Sequence, residues 1–495
     1  MGITTLQPTR IALTKASERA RARAQLVACV LAVCSAPAAG VEFEPYITAG
    51  IARTDNIQLT SEDPEGQTVY ELAPGFDLSQ ESPGVKADVA YRLQSYRYDQ
   101  RRDGETFHDF NGEVQVAPDR DNFFVDMGAS RTQTLKDPEG RIIRTNLPIN
   151  DNRINRNEYY LGPSLQYGIG GSVTASGSFR RTWTKYDVDD SGSAFDATDV
   201  TYDHADFSFD NYRRGRGFTW AMRYATDTTE YEQFPPWEYR QALVELGVWA
   251  GEAVRVFLSG GKESAWDQPL DPSLQEGFWE IGFARESARL NVELATGDRS
   301  YGPSFRGQLD YNFARGNMGF SYSKTATTQG EQRQPRGFLA RNIRNIITNV
   351  DDFLERPGSA ERFISTRLRW RLSIELRRTR LSFEAFDETR EERVSIGGTP
   401  LGDESQSGEN MDLRLEAGRR TELFITGQRA NQAFGENARD RRILSASVGA
   451  AFDFGQRTQV TVSYEYSEEE SGDDAAFAQG NYDARLLSMT LTRSF

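Results

Sequence analysis

Residues Arg362 to Leu376 read RFISTRLRWRLSIEL, and nearly every second one is apolar: Ile364, Leu368, Trp370, Leu372, Ile374 and Leu376. Between them stand Ser365, Arg367, Arg369, Arg371, Ser373 and Glu375. A period of two sends these sets to opposite faces of a strand. One face suits hydrocarbon, while the other carries three arginines and a carboxylate and suits water. The pattern recurs along the chain. Met411, Leu413, Leu415 and Ala417 alternate with Asn410, Asp412, Arg414 and Glu416. Leu444, Ala446, Val448, Ala450, Phe452 and Phe454 form another apolar row, and Val460, Val462, Tyr464 and Tyr466 the next. The last strand carries Leu487, Met489, Leu491 and Phe495 on one parity, with Arg493 near its edge, where a long side chain can reach water.

The joins between these segments alternate in length. Short ones include Ser82-Pro83-Gly84, Pro118 to Asn122, Gly168 to Gly171, Gly251-Glu252, Ala314-Arg315-Gly316, Arg377-Arg378, Gly418-Arg419-Arg420 and Gly455-Gln456-Arg457. Between them lie long polar ones: Leu135 to Arg156, Asp187 to Asp199, Glu263 to Glu276, Thr327 to Glu361, Glu388 to Gly408 and Ser467 to Asn481. Short periplasmic turns and long extracellular loops belong to an outer-membrane β-barrel. The spacing predicts an all-β, transmembrane antiparallel barrel over residues 41–495, with about 22 strands (18–22) of 9–11 residues each. Aromatics near strand ends (Tyr96, Tyr98, Trp183, Tyr186, Tyr231, Trp237 and Tyr239) read as interfacial girdles.

Composition removes the competing classes. Only 38% of residues are hydrophobic, and no apolar run reaches the roughly 18 residues of a spanning helix. A water-soluble sandwich or propeller requires two packed apolar faces or a fixed internal repeat, whereas here one parity is charged almost throughout. Residues 1–38 read as a signal peptide. Arg10, Lys15, Arg19, Arg21 and Arg23 precede the apolar stretch Leu26 to Val33, with Ala36-Pro37-Ala38 as the cleavage site. Leu26-Val27-Ala28-Cys29 matches a lipoprotein box by letters, but Arg21 and Arg23 leave no apolar region before it. Cys29 and Cys34 both lie in this leader, so the mature chain has neither disulfides nor thiolate metal sites. Its loss removes five basic groups and Glu18, taking the net charge from −15 to −19. Such acidity argues against nucleic acid as a partner and fits divalent cations and a cation-preferring lumen.

Four features are candidates for function. The first is the inward set Arg367, Arg369, Arg371, Glu375, Arg380, Glu384, Asp412, Arg414 and Glu416. Arg367, Arg369 and Arg371 are expected to face Arg380, Ser382 and Glu384, as ladders that either set selectivity or hold the barrel open. The second lies in the longest loop, where Leu339, Ile343, Ile346, Ile347, Val350, Phe353 and Leu354 follow helical spacing until Pro357-Gly358. That amphipathic helix, 336–357, serves either as a constriction folded inward or as a cover on the extracellular rim. The third is the histidine pair, His108 beside Asp109 and His204 beside Asp203, which reads as polar rim without an assignable catalytic partner. The fourth is acidic loops. Asp187, Asp189, Asp190 and Asp199 with Gly192 fail calcium-loop spacing, because Thr198 stands where a bidentate Glu belongs, and Glu468, Glu469, Glu470, Asp473 and Asp474 form a looser cluster. No catalytic, cofactor or dedicated metal site is expected.

Pro45, then Thr54-Asp55-Asn56-Ile57, Glu71-Leu72-Ala73-Pro74-Gly75 and Tyr91-Arg92-Leu93-Gln94 resemble the opening of β-barrel porins that accompany exosortase (PEP-CTERM) systems and exopolysaccharide gene clusters. The match covers about 55 residues; beyond them the agreement is in length and barrel character. The resemblance implies a Gram-negative outer-membrane protein linked to surface polysaccharide, and it supplies no catalytic residues. The ending in Leu491 and Phe495 resembles the signal read by the barrel-assembly machinery.

These readings predict an outer-membrane channel with a charged lumen, associated with exopolysaccharide export or secretion and surrounded by outer-membrane lipid and lipopolysaccharide. The rival is a closed, non-conducting barrel that anchors polysaccharide machinery. A TonB-dependent receptor is disfavoured, since the first strand at Val41 leaves no room for a plug domain.

Overall fold

In the computed structural model the described residues are 40–101, 103–119, 122–136, 141, 145–149, 152–187, 198–211, 217–232, 234–265, 276–328, 361–395, 402–434, 440–471 and 481–495. The leader 1–38, the helix 336–357 with Leu339 to Leu354, and Asp189, Asp190, Gly192, Asp473 and Asp474 lie outside them.

The chain forms 22 strands in sequence order. They are β1 (Val41–Thr54), β2 (Gln67–Ser82), β3 (Val85–Tyr98), β4 (Glu105–Asp119), β5 (Phe123–Leu135), β6 (Arg153–Ile169), β7 (Val173–Asp187) and β8 (Val200–Asp210). Then come β9 (Phe218–Tyr231), β10 (Trp237–Trp249), β11 (Val254–Glu263), β12 (Glu276–Glu286), β13 (Leu290–Arg299), β14 (Gly302–Phe313) and β15 (Gly316–Thr328). The last seven are β16 (Glu361–Glu375), β17 (Thr379–Ser395), β18 (Glu404–Glu416), β19 (Thr421–Phe434), β20 (Asp440–Asp453), β21 (Thr458–Ser471) and β22 (Tyr482–Ser494). Each strand pairs antiparallel with its chain neighbours, and β1 closes on β22 from Tyr46–Ser494 to Thr54–Leu486. Closure removes both sheet edges, so no open edge faces lipid.

The period-two rows fix which side meets lipid. The outer row holds Phe43, Leu72, Phe207, Leu246, Leu258, Ile281, Trp370, Val448 and Met489, all exposed. Toward the loop end these rows turn charged, at Arg97, Arg131, Arg240, Lys262, Arg429 and Arg485. An apolar belt flanked by charge around a closed barrel is the surface of an outer-membrane protein. The short turns then face the periplasm and the long loops the exterior.

Strand lengths differ from expectation: they run from 10 residues in β11 to 17 in β6 and β17. The wall continues above the belt on the loop side. There neither face needs hydrocarbon, so the apolar alternation that marks a strand fades while the backbone ladder persists. The long join expected over Glu388 to Gly408 shrinks accordingly, since β17 reaches Ser395 and β18 starts at Glu404. One loop-end connection, Ser300-Tyr301, is as short as a turn.

The expected girdle is also corrected. Tyr96, Tyr98, Tyr186, Tyr231 and Trp237 are buried, and their registers place them, with Tyr239, on the interior parity; only Trp183 faces outward. Sequence position located these rings at strand ends. Their side, set by register, was the reverse of that expected.

Candidate functional site

The interior wall changes character along the barrel axis. At the turn end its side chains are exposed: Glu42 and Glu44 on β1, Asp88 on β3, and the Arg380–Glu375 pair at 64% and 67%. At the loop end they are buried: Glu361, Arg390, Glu404, Gln406, Arg441 and Glu469 expose 4% or less. The interior is therefore a vestibule that opens at the turn end and narrows toward the loops.

One recess in it is a cavity of about 870 Å³ lined by β21, β22 and β1–β4. Its charged lining is mostly acidic: Glu42, Glu44, Glu71, Asp77, Asp88, Glu113 and Glu465, with Arg92 the one basic side chain among the described lining residues. Arg92 is committed to Glu71 at 2.5 Å. The wall between the acids is a run of hydroxyls, stitched at Thr48–Thr492 (2.9 Å) and Ser463–Ser488 (2.7 Å). These groups share one face because each lies at an even step from the next along its strand and opposite its partner in register.

Two loop segments fold inward over this recess. In the β5–β6 loop, Asn146 meets the Gln94 amide at 2.8 Å, Tyr98 donates its hydroxyl to the Leu147 carbonyl (3.2 Å), and Ile149 N donates to the Ile57 carbonyl (3.0 Å). Leu147 and Ile149 pack on Ile57, Val69, Tyr96 and Tyr98, with Phe107 alongside. Arg153 fastens the segment. Its guanidinium pairs with Glu105, donates to the carbonyls of Asn146 (3.2 Å) and Pro148 (3.3 Å), and lies 4.3 Å from the Phe107 ring centroid. In the β1–β2 loop, Asn56 donates to the Asp483 carbonyl at 2.9 Å, and Leu59 packs on Tyr482 and Ala484. Leu59 adopts φ 54°, a left-handed conformation costing about 1–2 kcal/mol; its burial is of the size to offset that. Nothing in the alternation marked these segments as lumenal. The available signal was Leu147-Pro148-Ile149, an apolar triplet in a polar loop.

All nine expected lumen charges lie on the interior parity of β16, β17 and β18, but their partners differ from those expected. The hairpin reverses the order of the second strand, so Arg371 sits opposite Glu384, Arg369 opposite Phe386 and Arg367 opposite Glu388. Arg380 instead meets Glu375, and Ser382 meets Ser373. Ion pairs form at Arg369–Glu384 (3.1 Å), Arg380–Glu375 (3.4 Å), Arg414–Asp412 (3.0 Å) and Arg414–Glu422 (3.3 Å). Glu416 lies opposite Glu422. Above this ladder is a buried cluster that sequence reasoning missed: Arg393 bridges Glu361 (2.7 Å) and Glu404 (2.9 Å), and Arg390 meets Glu388 (3.3 Å) over the Phe363 ring.

The sector β10–β14 is filled from within. Arg299 joins Glu263 (3.1 Å) and Glu280 (2.9 Å), and Tyr239 donates to Glu263 (2.6 Å). Across its mouth Thr229 of β9 meets Thr328 of β15 at 3.3 Å. His204 faces the interior, held at 2.6 Å by Asp227, which also accepts from Tyr202. Its neighbour Asp203 faces outward and pairs with Arg181. His108 points outward to Tyr91 (2.9 Å). The two histidines thus lie on opposite sides of the wall. Among the described residues no group of three or more His, Cys, Asp or Glu side chains is placed to hold a metal ion.

Comparison with protein-family models gives no match, and comparison with curated proteins gives none. Among solved structures the chain is similar to the siderophore receptor PirA from Pseudomonas aeruginosa, at 11% identity and TM-score 0.42 over 92% of this chain and 80% of that one. It is similar to a mutant ferric enterobactin receptor (PfeA) from Pseudomonas aeruginosa, solved with enterobactin, at 10% and 0.47 over 91% and 81%. OpdO from Pseudomonas aeruginosa gives 10% and 0.34 over 92% and 97%. At these scores the likeness carries no argument. Closure, the apolar belt and the polar interior of this chain are what make it a barrel of the bacterial outer membrane.

Proposed function

We propose that the protein is an outer-membrane channel with a cation-preferring vestibule, narrowed at its loop end by the folded-in segment 145–149. The observation that carries this reading is the charged interior face, exposed at Glu42, Glu44 and Asp88 and ending beneath Leu147 in a recess that holds seven carboxylates and one arginine. A charge turned to lipid at midplane costs about 2–4 kcal/mol, so such a face requires water. Excess carboxylate in a low-dielectric wall concentrates cations and repels anions. The resemblance of the first strands to exosortase-associated porins supports a permeant derived from exopolysaccharide, moving outward. On this reading the carboxylates and hydroxyls favour neutral or amino sugars over uronates. Arg367, Arg369 and Arg371, with their acidic partners, act as an ion-paired wall opposite the recess. The leader 1–38 directs export.

The test is single-channel recording in a planar bilayer, with and without residues 336–357. Stable steps with a reversal potential displaced toward the cation side support the reading. Silence from a folded barrel in both forms supports the second reading, a non-conducting anchor for polysaccharide machinery. The observation favouring that alternative is the buried loop-end interior, in which Arg393, Glu361 and Glu404 are packed among themselves.

A further inference from the structure

At nine of the ten odd-numbered strands that follow a periplasmic turn, the residue leading into the strand occupies one repeated backbone position, its carbonyl accepting an N–H from the wall. In the first half of the barrel this position holds Gly84, Asn122, Gly217 and Ala253, which accept from Ala117, Gln166, Trp249 and Glu286. In the second half it holds Arg289, Arg315, Arg378, Arg420 and Arg457, which accept from Asn312, Glu375, Glu416, Asp453 and Ser494. The same hydrogen bond is made with or without a side chain, so the fold does not require arginine there. All five are exposed. None makes an ion pair among the described residues, in a chain of net charge −15. Arg377, Arg419 and the outward-facing Arg493 extend the arc from β12 to β22.

The height of the arc identifies its counterpart. Leu376 precedes Arg377-Arg378 and is 48% exposed; Phe454, at 62%, lies just before Arg457; Arg493 lies 5.7 Å from the ring of Phe495, itself 59% exposed. These apolar side chains end the lipid-facing belt, so the guanidinium groups stand at headgroup level of the periplasmic leaflet. Planar guanidinium forks match phosphate oxygens, and cationic residues beside a membrane attract anionic lipid. A compact protein partner would call for a compact patch, whereas this charge follows the circumference. We propose that the periplasmic rim of the barrel along β12–β22 is a docking surface for anionic phospholipid headgroups, which gives the protein a lipid annulus enriched in anionic lipid.

The experiment folds the protein into phosphatidylcholine vesicles containing about one quarter phosphatidylglycerol. It is then extracted into nanodiscs, and the retained lipids are measured by mass spectrometry. Wild type is expected to enrich phosphatidylglycerol several-fold over the bulk ratio. The enrichment is lost in about 1 M salt, where the screening length is about 3 Å, and in the five-site variant R289Q/R315Q/R378Q/R420Q/R457Q. The double variant R378Q/R420Q, a lighter change, loses part of it, and the loop-end control R442Q/R485Q loses none. Folding of each is read from heat-modifiable gel mobility. No enrichment in wild type, or enrichment that the folded five-site variant keeps, overturns the proposal. Indifference to lipid together with arginine-dependent binding of dextran sulfate overturns it in favour of a soluble polyanion.

Discussion

The ring of Tyr160 lies against Gly128, its register partner on the neighbouring strand, so closely that a β-carbon on Gly128 would stand 2.2 Å from it. The same relation recurs on the interior face between Phe257 and Gly282 and between Phe424 and Gly449. Each glycine lets an interior ring lie flat along the wall instead of projecting into the vestibule. G128A and G282A should each destabilise the barrel by about 1–3 kcal/mol, read from urea midpoints of folded and unfolded gel bands. G168A, with nothing within 4 Å of its added carbon, should be neutral. Equal midpoints for all three would remove the packing role.

Leu368 and Arg369 are adjacent in sequence and on opposite sides of the wall. L368R combined with W370R places two charges in the belt at about 2–4 kcal/mol each at midplane and should abolish heat-modifiable folding. R369S should fold and at most alter selectivity. Equal tolerance at both parities would sink the barrel.

Arg393 is buried between Glu361 and Glu404. R393A removes the shared cation from two buried carboxylates, leaving Glu404 its longer contact with Arg390 (3.9 Å), and should cost about 3–5 kcal/mol. The triple replacement R393M/E361Q/E404Q should recover much of that loss. A triple variant no more stable than R393A would show that packing, not charge, carries the cost.

Arg153 holds segment 145–149 against the mouth. R153A should leave the barrel folded while raising single-channel conductance. An unchanged conductance in a folded R153A channel would mean that this segment does not limit the path.

Glu42, Glu44 and Asp88 face the open end of the recess. E42Q/E44Q/D88N should move the reversal potential in a salt gradient toward that of an unselective pore. Retained cation preference would place the filter elsewhere in the lumen.

Period-two alternation is a local property, and it was enough to identify all-β structure, the hairpin order and the outward rows from Leu368 to Leu491, because hydrocarbon accepts only apolar side chains whatever the rest of the fold does. Arg315, Arg378, Arg420 and Arg457 stand in joins that the alternation marks as short, since hairpin turns are local, whereas the turn at Arg289 carries no such mark. What the sequence could not determine was which residues meet across strands and which side of the wall a strand-end residue takes above the belt. For that reason sequence position alone puts Tyr96 and Trp237 on the lipid side and matches the Arg367–Arg371 ladder to the wrong steps of its neighbour. Pairing of Arg393 with Glu361 and folding of Leu147 over Tyr98 join residues about 30 and 50 positions apart. Such contacts carry no periodic signature, because a polar pair that satisfies itself in the interior obeys no solvent rule. The sequence thus determined the barrel and its membrane, and tertiary structure alone decided how the interior is filled, where it narrows and which carboxylates line what remains open.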